Sequence, residues 1–309
     1  MNEMSPASRL ADLRNKLAEQ GLDGFVVPHS DAYQNEFLAP NAERLAWLTG
    51  FTGSSGTAVV LADRAAIFVD GRYTLQVRDQ VDGALYDYRH SVDTPVSGWL
   101  AETLGNGQCL GIDPWLHTQS GAECLRRSVE GAGAELIFLE TNPLDEIWHD
   151  RPPPPMAPAV PHGEGFAGRS SADKRRTIGA ALAGEGLDAV ILTQPDSIAW
   201  LLNVRGGDID HTPLVLSFAI LQTNGCVDWC VAPGKRSDGL DAHLGPDIAL
   251  HAPEDFAALL SELKDKRVLA DPDSAAAWIF DRLAVAGATV LRGNDPVTLP
   301  KAIKNPAEQ

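Results

Sequence analysis

An α/β fold, present twice, is what this 309-residue chain predicts. Three observations carry that prediction. Amphipathic helical stretches alternate with short apolar runs of strand length through both halves. A proline-rich segment, residues 151–161, interrupts the alternation once. The second half also restarts the first, since GLDAVILTQPDSIAWLLN echoes GLDGFVVPHSDAYQNE and the later RLAWLTG. Gly186 lies 165 positions after Gly21, and Trp200 lies 153 after Trp47. An extra segment near residues 33–44 of the first copy absorbs the difference. Two copies are too few for a solenoid, so the register points to an old duplication of one unit.

The elements follow in order. A helix is read over residues 8–20, where Leu10, Leu13 and Leu17 share a face and Gly21 stops it. Phe25, Val26 and Val27 form a buried strand. Residues 44–49 make a short helix, and a glycine loop follows it. The apolar runs 57–62 and 65–69 are joined by Ala62-Asp63-Arg64, a hairpin. Asp70-Gly71-Arg72-Tyr73 is read as the opening of a helix over 72–82. Asp70 would cap it, leaving the planar fork of Arg72 free for a carboxylate across an interface. Then come strand 85–90, helix 95–104, strand 109–112, helix 119–130 and strand 135–139. A hairpin followed by βαβ-like units predicts a mixed sheet flanked by helices, antiparallel at one edge and otherwise largely parallel. Consecutive prolines in RPPPPMAPAVP forbid helix and make a stiff spacer. Helix 171–185 opens the second copy. The expected division is a first domain over 1–150, a linker over 151–161, a second domain over 162–300 and a connecting segment over 301–309.

Composition narrows the function. With 44% hydrophobic and 22% charged residues the chain has the balance of a globular protein. A formal charge of −17 argues against nucleic acid and against an anionic membrane surface, because both need clustered Lys and Arg. Four cysteines do not make a disulfide framework in a chain this long, and Cys226 and Cys230 are read as small buried or half-buried thiols. MNEMSPASRL lacks the basic start and apolar core of a secretory signal. The run 214–221 is too short to span a bilayer. The resulting expectation is a cytoplasmic protein.

Several motifs fail on inspection. Gly50, Gly53 and Gly56 have a helix before them and a strand after, the reverse of a dinucleotide-binding turn. Gly234-Lys235 lacks the following Ser or Thr of a phosphate loop. Gly206-Gly207-Asp208-Ile209-Asp210-His211 offers two carboxylates and an imidazole, but neither the remaining calcium-loop ligands nor zinc-ligand spacing. The histidines at 29, 90, 117, 149, 162, 243 and 251 are scattered and show no pairing.

LTGFTGSSGTAVV and FVDGRYTLQ resemble the first domain of the three-domain Xaa-Pro aminopeptidases, the aminopeptidase P group. LLNVRGGDIDHTPLVLSFAIL is similar to their second domain, and LDEIWHDRPPPP to the connection between the two. The resemblance covers essentially the whole chain. It implies two creatinase/prolidase N-terminal-like domains of ribonuclease-H-like type. The family's reaction is removal of an N-terminal residue that precedes proline. Two divalent ions, commonly manganese, do that chemistry on a third, pita-bread-shaped domain. No residue here matches its ligands, and Lys301 to Glu308 is similar to the lead into it, read as a helix cut after its first turn. The resemblance therefore implies no catalytic or metal-binding residue in this chain, and no cofactor bound by it. It also implies a homo-oligomer whose partners are its own catalytic domain and a peptide substrate. By motif position Phe51, Ser54, Arg72 and Tyr73 are candidates to face a substrate. Arg205, Asp208 and His211 are candidates to face the catalytic domain. A free-standing, two-lobed binding protein for small peptides is the alternative.

Overall fold

The computed structural model describes residues 4–309, so Met1, Asn2 and Glu3, where the search for a leader begins, lie outside it. The chain divides into two compact units, Met1–Pro154 and Pro155–Gln309.

Unit 1 runs α1 (Pro6–Glu19), β1 (Gly24–Pro28), α2 (Arg44–Thr49), β2 (Gly56–Leu61), β3 (Ala65–Val69), α3 (Gln76–Gln80), β4 (Asp87–His90), α4 (Val96–Thr103), β5 (Cys109–Ile112), α5 (Gln119–Gly131), β6 (Glu135–Phe138) and α6 (Pro143–Ile147). Helix α1 begins two residues before the apolar pattern does. Ser5 caps it by accepting from the Ser8 amide, and Pro6 takes a first-turn position where its missing N–H costs nothing.

The six strands lie in the order β4-β3-β2-β1-β5-β6. Strand β2 is antiparallel to both β1 and β3, while the β3–β4, β1–β5 and β5–β6 pairs are parallel. The antiparallel part is thus the centre of the sheet, not an edge as the linear pattern suggested. The hairpin folds back onto β1, and parallel strands then extend the sheet on both sides.

Unit 2 runs β7 (Val160–Pro161), α7 (Glu164–Ala167), α8 (Ser171–Gly184), β8 (Ala189–Leu192), α9 (Pro195–Leu202), β9 (Val204–Arg205), β10 (Phe218–Gln222), β11 (Val227–Cys230), α10 (Leu240–Leu244), β12 (Ile248–His251), α11 (Phe256–Ser261), β13 (Arg267–Ala270), α12 (Ala277–Ala286), β14 (Thr289–Arg292) and α13 (Thr298–Ala302). Its main sheet has the order β12-β11-β10-β8-β13-β14. Strand directions repeat those of unit 1 pair for pair. Phe25 to Val27 and Val190 to Leu192 occupy the corresponding strand, and the loops after α2 and after α9 fall at corresponding places. Duplication accounts for both.

Two details depart from the sequence pattern. Val160 and Pro161, inside the proline-rich stretch, pair with Val204 and Arg205 as β7–β9. Proline can hold such a place because this two-stranded ribbon does not need its amide. At the other end, residues 301–308 are not one helix. Helix α13 stops at Ala302 and a separate turn begins at Asn305.

Each unit has its own core. In unit 1, Phe25, Leu48, Phe51 and Ile67 are fully enclosed; in unit 2, Leu192, Leu201 and Trp229 are. Each such side chain supplies about 1.5–3 kcal/mol of burial.

Candidate functional site

In open α/β sheets, ligands usually sit where parallel strands end at their carboxyl side. In unit 1 that place is filled by the protein itself. Asp31 follows β1 and accepts from the amides of Tyr33 and Asn35 and from the Asn35 side chain, at 2.9–3.0 Å. Asp113 follows β5 and accepts from the Asn142 amide group at 2.9 Å. The Arg44 guanidinium donates to both oxygens of Asp145 at 2.7 and 2.9 Å, and Arg151 reaches the same carboxylate at 2.6 Å. Burial pushes the Asp31 and Asp113 carboxyls up, against the pull of Arg44. His117, enclosed on the loop after β5, is pushed down to about 4 by burial and stays a neutral ring at pH 7.

Unit 2 closes the same place with the same chain logic. Asp271 follows β13 and accepts from the Asp295 amide at 3.0 Å, while Asp295 accepts from the Val297 amide at 2.8 Å. Asp113-Pro114 and Asn142-Pro143 therefore recur as Asp271-Pro272 and Asp295-Pro296. Those paired Asx-Pro steps were a readable sequence signal of the repeat, and pattern reading missed them.

A different surface gathers polar groups in unit 1. The loop after α2 and the turn after β3 meet through Ser54 and Tyr73. The two hydroxyls are 2.8 Å apart, and the Ser54 amide donates to the Tyr73 oxygen at 3.2 Å. Glu36 accepts from the Ser54 hydroxyl at 3.3 Å. The Tyr73 ring stands edge-on to Phe51 at 5.5 Å, and the Arg72 guanidinium lies 5.1 Å over its face. Glycine at 53 is required here, because a Cβ would collide with both the Phe51 and Tyr73 rings. These hydrogen bonds to Ser54 lower the Tyr73 hydroxyl from its ordinary value.

The structure thus brings Phe51, Ser54, Arg72 and Tyr73 together, with corrections. Phe51 is fully buried and is the packing floor of the cluster, not a surface residue. Helix α3 starts only at Gln76, because the Asp70 carboxylate accepts from the Arg72 amide at 2.9 Å and makes a turn instead of capping a helix. Arg72 has a local partner as well, since its guanidinium donates to Asp70 at 2.7 Å. Chiefly through that side-chain bond, Arg72 holds the Asp70 carboxyl at about 2. Arg72 remains 61% exposed, so one face of its fork is open to a further anion.

In unit 2 the candidates separate. Asp208 is buried, and one of its oxygens accepts from Lys235 at 2.6 Å and from the Leu216 amide at 2.7 Å. It pins its loop inside the unit. That oxygen is committed to an ammonium, so the segment from Asp208 to His211 does not fit a metal ion. His211 is exposed with φ +60°, and Arg205 is half-buried on β9. Two histidines lie beside carboxylates: His251 on β12 is 3.0 Å from Asp228 on β11, and His90 on β4 is 3.4 Å from Asp93. Cys226 is half-buried, and Cys230 is buried and pushed up to about 12 by that burial. Among the described residues, no group of three or more His, Cys, Asp or Glu is placed to hold a metal ion, and no helix is long and apolar enough to cross a membrane.

Comparison with known proteins gives the same partition of the chain. Residues 9–143 and residues 150–308 each match a family model described as the creatinase/prolidase N-terminal domain. The "Probable Xaa-Pro aminopeptidase P" of Aspergillus clavatus is 30% identical over 319 aligned positions, which take in 100% of this chain and 48% of that protein. The protein of the same name from Aspergillus niger is 30% identical, again over 100% of this chain and 52% of its own length. The chain therefore spans about half the length of the curated relatives it matches. Among solved structures, X-prolyl aminopeptidase from Caenorhabditis elegans superposes with a TM-score of 0.92 at 25% identity. That match covers 98% of this chain and 52% of the worm protein, a cytosolic enzyme with a di-nuclear active site.

Proposed function

Because both halves of this chain belong to the creatinase/prolidase N-terminal domain family, we propose that it is the non-catalytic, two-domain region of a metallo-aminopeptidase that removes an N-terminal residue preceding proline. The observation that carries this reading is full coverage of the chain by relatives that are about twice as long. In the whole enzyme, two divalent ions, manganese by preference, would belong to the remaining half. They would supply an activated water there. The residues here contribute by shaping access and by oligomerisation, in a cytoplasmic enzyme that assembles as a homo-oligomer such as a dimer.

The surface suited to shaping access is the rim built by Glu36, Ser54, Arg72 and Tyr73. It offers a cation, two hydroxyls and a carboxylate within a few ångströms, a set that can hold either end of a peptide. The full coverage of the chain by longer relatives also weighs against the free-standing peptide-receptor alternative.

The test uses the longer enzyme that contains this chain. Arg72→Ala and Tyr73→Phe are expected to lower kcat/KM for an Xaa-Pro peptide by about tenfold or more. Their unfolding midpoints should stay close to the wild-type value, because the lost interactions, an exposed ion pair and ring contact for Arg72 and one hydroxyl for Tyr73, are at the surface. Unchanged kinetics in both variants would strip the rim of its role. A dissociated oligomer with normal kinetics per subunit would make it an assembly surface.

A further inference from the structure

The last residues of the chain are held by a site on unit 2 that the functional reading does not use. Asn305, Pro306, Ala307 and Glu308 form a reciprocal helix-start motif. The Asn305 side chain accepts from the amides of Ala307 and Glu308 at 2.9 and 3.2 Å, and Glu308 accepts from the Asn305 amide at 3.0 Å. Pro306 stands at the first helical position, where proline is favoured.

This motif is attached sideways at three points. The Asn305 side chain donates to the Ala167 carbonyl at 2.9 Å. Beside it Gly168 has φ +64°, and a Cβ there would collide with Asn305. Lys301 pairs with Asp196 at the start of α9. The other oxygen of Glu308 accepts from the Trp200 indole N–H at 3.1 Å.

Trp200 is itself clamped from behind. The Lys174 ammonium lies 4.1 Å over its ring, and donates to the Trp200 carbonyl at 3.0 Å and to Asn203 at 2.7 Å. Lys174 is 1% exposed, so this cation is fixed in place rather than a mobile surface charge. The charges of Lys174 and Arg205 both act on Glu308. They favour a carboxylate at this point on an otherwise acidic protein.

We propose that Trp200, backed by Lys174, forms a docking site for a carboxylate-bearing turn, and that the chain's own residues 305–308 are its occupant. Docking fixes the course of the backbone at residues 305–308 against unit 2. This inference stands independently of the proposed enzymatic role.

Limited trypsin digestion of the native 309-residue chain tests it. Lys304 is exposed and directly precedes the docked residues, so cleavage there reads the order of the backbone. The peptide beginning at Asn305 should be released at least tenfold faster from Glu308→Ala and from Trp200→Phe than from wild type. Trp200→Phe keeps an aromatic face towards Lys174 while removing the N–H and part of the ring, and Glu308 is bonded to Trp200 only at the core's edge, so circular dichroism of both variants checks that the fold is kept. Equal release from wild type and both variants would overturn the proposal. So would faster release from Asn305→Ala alone, which would assign the hold to Ala167 and leave the Lys174–Trp200 site without an occupant.

Discussion

Replacing Lys235 by methionine is expected to destabilise unit 2 by about 3–5 kcal/mol, the cost of leaving a buried charge without its partner. Lys235 and Asp208 have side chains that are 5% and 0% exposed, so water cannot take over from the lost ammonium. The second oxygen of Asp208 is buried without a hydrogen-bond partner even in the intact protein. The same carboxylate organises its loop, holding the Leu216 amide while the Asp208 amide donates to Leu214. Adding Asp208→Leu to Lys235→Met should return much of the loss, because an apolar pair of similar volume removes the desolvation cost on both sides. Urea unfolding followed at unit 2 reads this directly. A single variant that loses less than about 1 kcal/mol would mean that solvent reaches Asp208.

Arg44→Met should destabilise unit 1 by a smaller amount near neutral pH, about 1–3 kcal/mol, because Asp145 keeps Arg151 as a partner. Arg44 is 7% exposed and is held by Asp145, with Asp31 and Asp113 buried within its field. The loss carries a pH signature. Burial already raises the folded-state pKa of Asp31 and Asp113 above the unfolded value, and removing the guanidinium raises both further. A group raised in this way contributes stability that is present below its unfolded pKa and lost as pH rises through the folded one. The penalty of Arg44→Met should therefore be smaller towards the acid side, near the unfolded carboxylate pKa, than at neutral pH. A penalty independent of pH would show that Arg44 matters only for packing.

Both ion pairs were invisible in the sequence for the same reason. Arg44 and Asp145 lie 101 positions apart and Lys235 and Asp208 lie 27 apart, with no period connecting them. What was legible is what local pattern encodes. The apolar runs 57–62 and 65–69 and the Gly-Leu-Asp restart at 186 pointed to the hairpin, the strands and the duplication. The position of β2 in the centre of the sheet depends on a long-range pairing with β1, which alternation does not specify. The region 70–75 misled through a competition of hydrogen bonds. An aspartate before a helical pattern reads as a cap, yet Asp70 bonds to Arg72 twice and makes a turn. The rim residues Ser54, Arg72 and Tyr73 came from motif likeness. Their meeting is explained by the fold, since the α2–β2 loop and the end of β3 leave the sheet on the same side. The capping motif at Asn305 was readable in Asn-Pro-Ala-Glu and was passed over as a continuing helix.

The central claim is that these two domains serve a peptidase without performing its chemistry. The most direct measurement is release of a free amino acid from an Xaa-Pro peptide by the purified 309-residue chain with excess manganese. The account predicts no release above the buffer control, while the longer enzyme containing this chain turns the same peptide over. Turnover by the 309-residue chain that a chelator abolishes would contradict it.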